Sequence, residues 1–384
     1  MDRRAQQEGD PVNRPTPLAR EIAREIGENG PMPLDRYMAQ CLGDAEHGYY
    51  MTRDPLGLAG DFTTAPEISQ MFGELVGLWV LDMWSKLGAP QPFALIELGP
   101  GRGTLMADAL RAAGLVPEFA AAAHIHLIET SPVLRCSQQD RLKHAGARIE
   151  WSDDLESLAP GPSIIIANEF FDALPVRQAE RAQGQWRERM VVSDGDGTLK
   201  IALGEVVEFE MAGTAAVNGG PGTAGEGDIW EWSPAREQVA ALIAARSIAA
   251  PTAALIVDYG HSAPGYGDTL QALAGHKPID VLDQPGQSDL TSHVDFTSLI
   301  RAARARGSDC YGPVEMGRFL IAIGIGERAA RLKAGKESEV AEQIEAAYQR
   351  LTDPGAMGSL FKVMALTSPG AAAPEPFQRS LATQ

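Results

Sequence analysis

The sequence predicts an α/β fold: a doubly wound, mainly parallel sheet covered by helices on both faces. Three observations predict it. From residue 93 onward, short apolar runs alternate with helix-length segments, the order that a parallel sheet with crossover helices requires. One run, Ile164-Ile165-Ile166, is β-branched throughout, which suits a strand. A glycine turn, Gly99-Pro100-Gly101-Arg102-Gly103, stands between a predicted strand and a predicted helix. Ligands of such sheets bind at the carboxyl ends of the strands.

Residues 1–17 mix both charge signs with prolines and lack an apolar stretch, so they read as a disordered tail and not as a signal peptide. Residues 18–29 read as a helix ended at Gly30-Pro31, and a second helix starts near Pro33-Leu34-Asp35, since proline suits a first turn. An irregular stretch over 43–66 is rich in Gly, Pro, Thr and Asp. Over 67–87, Ile68, Met71, Phe72, Leu75, Leu78, Trp79 and Met83 recur at helical spacing. Strands follow at 93–97, 125–129, 148–151, 163–167, 253–258 and 361–367, with helices at 104–113, 132–143 and 296–305.

Two stretches interrupt this scheme. Residues 176–232 carry short alternating runs and a Gly/Ala-rich segment near 218–227, which reads as a β-rich insertion with a flexible loop. Residues 315–360 hold two helical patterns, 318–332 and 337–351. The domain plan is therefore a tail, an N-terminal helical and lid region (18–92), and a first core half that binds cofactor (93–175). The β-rich insertion, a second core half (233–314), the helical insertion and a final strand with C-terminal tail (361–384) complete it.

The chain has 384 residues and a formal net charge of -18. That balance excludes nucleic acid as the main partner, because phosphate binding needs basic surface. It suits a basic substrate, although solubility alone explains it equally well. Cys41, Cys136 and Cys310 are far apart and form no C-x-x-C pair, which points to a reduced, intracellular protein. His124 and His126 share a strand face without a third ligand nearby, so no metal site is expected. No apolar run is long enough to span a bilayer.

A dinucleotide fingerprint starting at Gly99 needs glycine where Thr104 stands, so it fails. Instead the glycines alternate at Gly99, Gly101 and Gly103, and Glu97 closes the preceding strand. A carboxylate beside exposed backbone suits a cationic ligand without pyrophosphate, and the methionine end of S-adenosyl-L-methionine fits. Glu129, ending the next strand, can accept both ribose hydroxyls. Asp153 and Asp154, after the third, can accept from the adenine amino group; the plainer reading is first-turn acids.

The strand at 163–167 runs into Asn168-Glu169-Phe170-Phe171-Asp172, at the position that faces the transferable methyl group. Asn168 belongs with the cofactor residues. Glu169 and Asp172 can orient a guanidinium and hold its charge away from the reacting nitrogen. Phe170 or Phe171 would wall the substrate channel. The plainer reading makes both phenylalanines core and Asp172 a turn cap.

With these residues in place, the chain resembles the MidA-like methyltransferases, whose mitochondrial members are arginine methyltransferases needed to assemble respiratory complex I. The resemblance rests on Arg36-Tyr37-Met38, Cys41-Leu42-Gly43-Asp44, Gly48-Tyr49-Tyr50, the run from Gly60 to Gln70, and Phe72-Gly73-Glu74. It continues through the glycine turn, Glu129-Thr130-Ser131-Pro132, the stretch from Asn168 to Pro175, Asp258-Tyr259-Gly260, and the run from Asp289 to Phe296. Ala45 and Met316 depart from the pattern, where proline and glutamine are common.

The resemblance implies a seven-stranded class I methyltransferase sheet. It also implies S-adenosyl-L-methionine as cofactor with S-adenosyl-L-homocysteine as product, and a basic or arginine-containing protein substrate. Tyr49, Tyr50, Asp61, Phe62, Thr63 and Glu67 are expected to fold over the cofactor as a lid. Tyr259 and His293 are expected in the same channel, with His293 able to take the released proton. Two alternatives stay open: an assembly factor that holds the cofactor without catalysis, and a small-molecule methyltransferase. A homodimer is a further expectation, as is a cytoplasmic location for a bacterial-type member, or the mitochondrial matrix only if a transit peptide has been removed.

Overall fold

The computed structural model describes residues 15–54, 64–195, 197–208 and 224–377. Most of the expected tail, the segment with Asp61, Phe62 and Thr63, and much of the Gly/Ala-rich segment lie outside the described residues. Of the tail's last residues, Thr16 caps and Pro17 starts the helix Pro17–Asn29, so Pro17 is helical, contrary to expectation.

The central sheet has seven main strands: β1 (Phe93–Leu98), β2 (Ala123–Ile128), β3 (Arg148–Ser152), β4 (Ser163–Asn168), β5 (Thr252–His261), β6 (Asp309–Glu315) and β7 (Phe361–Thr367). Their spatial order is β6-β7-β5-β4-β1-β2-β3. From β5 to β3 every pair is parallel, and β7 runs antiparallel between β5 and β6. The two-residue strand Val294–Asp295 pairs with the end of β5.

Side-chain alternation gives each strand two buried faces. Leu95, Ile164 and Ile166 enter one core beside the helices Gln70–Lys86 and Thr104–Ala113. Ile96, Leu98, Ile165 and Ala167 enter the other, under the helices Pro234–Ala249 and Phe296–Ala305. Apolar residues on both faces explain why β4 reads as a run and not as an alternation. The chain leaves β1 and β4 in opposite directions across the sheet, so a crevice opens between their carboxyl ends.

Two other sheets are formed, and the three-stranded one reaches the crevice through Gln271, Leu273, Asp289 and Thr291. Met32–Pro33, Gln185–Ser193, Arg177–Ala182 and Ile229–Trp232 lie side by side, with Leu199–Val206 paired to Gln185–Ser193. The N-terminal helices pack on this sheet through Leu18, Ile22, Tyr37 and Val191. Gln271–Ala274, Lys277–Ile279 and Asp289–Thr291 form a three-stranded sheet.

Some elements differ from expectation. The helix expected at 67–87 is two helices, Ala65–Ile68 and Gln70–Lys86. Ser69 between them is extended, and its hydroxyl accepts from the Met71 N–H, so a new helix begins there. The pattern at 318–332 is likewise split, by Gly324 in the left-handed region. β6 was hidden by Gly312-Pro313, breakers that here sit at a register shift between Tyr311 and Val314. The helix Pro234–Ala249 was also missed, although Ser233 and Pro234 are a start signal.

Candidate active site

A cavity of about 780 Å³ opens at the carboxyl ends of β1, β2, β4 and β5. Glu97, Glu129, Asp153, Asp154, Glu169 and Asp172 all line it, as do Gly99, Gly101, Thr104 and Asn168. From the channel and lid, Tyr50, Glu67, Phe170, Tyr259 and His293 join them.

The glycine turn holds its shape through positive φ: 61° at Gly99 and 53° at Gly101. A Cβ on Gly99 would come within 2.9 Å of the Phe170 ring, so the turn and the segment after β4 require this glycine to pack together. Gly103 caps the helix Thr104–Ala113 in the left-handed region. It faces Gln138 and Leu142 and does not line the cavity, so its part is to supply the positive φ of 77° from which the helix starts. The Thr104 hydroxyl donates to Glu67.

Glu97 is 2% exposed. Its Oε2 has no hydrogen-bond partner among the described residues. Burial, and then the nearby Glu129, push its carboxyl up to about 8. A buried acid of this kind is a receptor for a cation, which is what the ammonium of S-adenosyl-L-methionine would supply. The cofactor's methionine end therefore fits the residues present.

At the end of β2 the Glu129 carboxylate accepts from the Ser131 N–H at 2.8 Å and the Gln138 amide at 3.1 Å. Each oxygen keeps capacity for one more donor, as two ribose hydroxyls require. Asp153 is paired with Arg135 at 2.6 Å, its side chain 76% exposed. Asp154 accepts from the Ser157 N–H at 2.7 Å, a local turn cap, while still lining the cavity.

Beyond β4 the chain turns sharply: Glu169 has φ of 49°. Its Oε1 accepts from the Ala65 N–H at 2.9 Å and the Asn168 amide at 3.2 Å. Burial pushes its carboxyl up to about 8. Among the described residues no cation is bonded to it. Burial also raises Asp172, opposed by the Tyr259 hydroxyl bonded to it and by the charge of Arg236. Phe171 is fully buried in the core below. Of the two, Phe170 alone lines the cavity, because neighbouring side chains leave this turn on opposite sides.

Sequence reasoning missed the supports of this turn. Asp258 accepts from the N–H groups of Phe170, Phe171 and Asp172 at 3.2, 2.9 and 3.2 Å. Arg236, buried on the helix Pro234–Ala249, donates to the carbonyls of Phe171, Asp172, Ser292 and His293. One guanidinium thus ties the segment after β4 to the motif at 289–296.

The N-terminal region closes one side. Tyr50 donates to Asp289 at 2.8 Å, and its carbonyl accepts from Ser131 at 2.6 Å. Arg102 of the glycine turn pairs with Asp54 at 2.8 Å. Tyr49 is fully buried in the N-terminal core and does not reach the cavity. His293 stacks edge-on against Tyr259 with centroids 5.6 Å apart. Burial, with the charges of His261, Arg236 and Lys362, lowers its pKa.

Residues 75–314 match a family model described as an S-adenosyl-L-methionine-dependent methyltransferase. The chain is 37% identical over 373 residues to the Drosophila melanogaster protein arginine methyltransferase NDUFAF7 homolog, mitochondrial, covering 91% of this chain and 84% of that protein. It is 35% identical over 386 residues to protein arginine methyltransferase NDUFAF7, mitochondrial, of Mus musculus, covering 92% and 85%. A crystal structure from Burkholderia thailandensis bound to S-adenosyl-homocysteine matches with a TM-score of 0.78 at 27% identity, covering 92% of this chain and 93% of that one.

Proposed function

The chain belongs to the MidA-like family of S-adenosyl-L-methionine-dependent methyltransferases, and we propose that it methylates an arginine of a protein partner. The observation that carries this reading is the pair Glu169 and Asp172 in the acid-lined cavity, Glu169 with no bonded cation among the described residues. S-adenosyl-L-methionine supplies an electrophilic methyl group on a positively charged sulfur. Glu97 would hold its ammonium and Glu129 its ribose, and Asp153 or Asp154, both lining the cavity, would accept from the adenine amino group.

The chain's remaining task is to present a guanidinium nitrogen with its lone pair available. Two carboxylates bound to the other nitrogens localise the positive charge there and fix the approach. An arriving guanidinium draws Glu169 into its ionised form, since an opposite charge favours the carboxylate. His293, whose pKa burial lowers and which lines the same cavity, would take the released proton.

A basic protein surface suits the chain's net charge of -18. The partner class implied by the family is a subunit of a respiratory complex under assembly. Unpaired cysteines suit a reducing compartment, the cytoplasm in a bacterial-type member, whereas the named relatives are mitochondrial. Incubation with methyl-labelled cofactor and host lysate, followed by mass spectrometry, tests the proposal. Label on an arginine supports it; label on lysine, on a small molecule or on nothing overturns it.

A further inference from the structure

The helix Pro132–Leu142 carries Arg135 and Gln138 three positions apart, hence on one face. Arg135 holds the Glu129 carbonyl at 2.7 Å and the Asp153 carboxylate at 2.6 Å. Gln138 is completely buried. Its amide donates to the Gly101 carbonyl at 2.7 Å and to the Glu129 carboxylate at 3.1 Å, and its oxygen accepts from the Trp151 indole at 2.8 Å. One side chain therefore touches the glycine turn after β1, the acid after β2, and β3 itself.

The indole N–H can only donate, so the Gln138 oxygen must face Trp151 and the NH₂ must face the cavity side. All three bonds are used and none can be exchanged. We propose that Gln138 is a positioning residue for cofactor binding: through its locked amide it sets the Glu129 carboxylate and the Gly101 carbonyl at a fixed distance from each other. The ribose acid and the methionine turn are then held in one register before the ligand arrives. The proposal rests on the reading of Glu129 as the ribose acid.

S-adenosyl-L-homocysteine binding to the full chain, measured by calorimetry, tests it without any methyl acceptor. Gln138→Leu should weaken binding about tenfold to a hundredfold, as for a charged group that loses a buried donor. The double variant Glu129→Ala/Gln138→Leu should lose less affinity than the two single losses added together, because Gln138 acts in part through Glu129. Gln138→Glu keeps the shape and guards against misfolding of the leucine variant. A neutral carboxyl there can donate and a carboxylate cannot, so its deficit against wild type should be larger at pH 8 than at pH 5.5. The ionisable groups around the position are Glu97, Glu129 and Asp153 at the strand ends, Arg135 on its own helix and Arg102 in the turn; all are present in both proteins.

Wild-type affinity in a folded Gln138→Leu protein would overturn the inference, as would additive losses in the double variant or a pH-independent deficit in Gln138→Glu. If Glu129→Ala itself binds like wild type, the ribose reading fails instead, and the two failures are told apart.

Discussion

The backbone N–H of Ala65 donates to the carboxylate of Glu169 at 2.9 Å, across 104 positions of sequence. The short helix Ala65–Ile68 thereby holds the acid after β4, and through Glu67 it also holds Thr104 beside the glycine turn. In Glu169→Gln the amide oxygen can still accept from Ala65 and Asn168, so fold and cofactor binding should survive. What is lost is a negative charge beside the guanidinium. Turnover should fall by about 100-fold to 1,000-fold, the range for removing one transition-state electrostatic partner. Single-turnover methylation of the identified target measures this; unimpaired transfer would remove Glu169 from the mechanism.

Glu129→Ala should weaken S-adenosyl-L-homocysteine binding by about 1.5–3 kcal/mol, the worth of hydrogen bonds to a charged group. Glu129→Gln should do no better. Both carboxylate oxygens already accept from N–H donors, Ser131 and Gln138, and an amide must turn its NH₂ toward one of them. Titration calorimetry on both variants compares them directly, and a glutamine variant with near-native affinity would contradict the geometry.

The strand-end acids were legible because the strands themselves were. Once 93–97, 125–129 and 163–167 read as strands in order, Glu97, Glu129 and Glu169 had to share one edge. Phe171 and Tyr49 were misplaced for a local reason: sequence shows that aromatics cluster, not which member turns into the core. Arg236 and Gln138 could not be read at all. A polar residue on a helix ordinarily faces solvent, and the bond from Arg236 to the Asp172 carbonyl spans 64 positions. Only tertiary packing reveals such a partner.

Arg236→Met should destabilise the fold by about 3–5 kcal/mol, the usual cost of removing one partner from a buried ionic network. Methionine fills the volume but leaves the carbonyls of Phe171, Asp172, Ser292 and His293 without this donor. It also leaves Asp172 and Asp258 without the nearby positive charge. Urea denaturation gives the change directly. A midpoint equal to wild type with an unchanged slope would show that these carbonyls find other donors.

Closure over the cofactor should appear in hydrogen exchange. Tyr50, Asp54 and Glu67 are each bonded to the cofactor side, through Ser131, Arg102 and Thr104. Saturating S-adenosyl-L-homocysteine should slow exchange in the helices Tyr49–Thr52 and Ala65–Ile68. No change in either helix would mean that these contacts do not respond to the ligand.

Cofactor binding should release a proton. In the folded chain burial sets the Glu97 carboxyl at about 8, against 4.5 for an ordinary glutamate. Between those values the folded protein holds a proton that the unfolded chain has lost. Stability without ligand should therefore fall as pH rises through this window, with a slope approaching about 1.4 kcal/mol per pH unit from this group. An ammonium placed against Glu97 reverses the preference, because the carboxylate is then the favoured form. At pH 7 binding should expel up to about one proton from Glu97, and affinity should rise with pH until the free carboxyl is ionised. Calorimetry with S-adenosyl-L-homocysteine in buffers of different ionisation enthalpy counts that proton. Glu169 also titrates near 8, so the count is repeated in Glu169→Gln, where it should persist, and in Glu97→Gln, where it should vanish. A buffer-independent heat in the wild type, or a proton that survives Glu97→Gln, would mean that the ammonium does not meet this carboxylate.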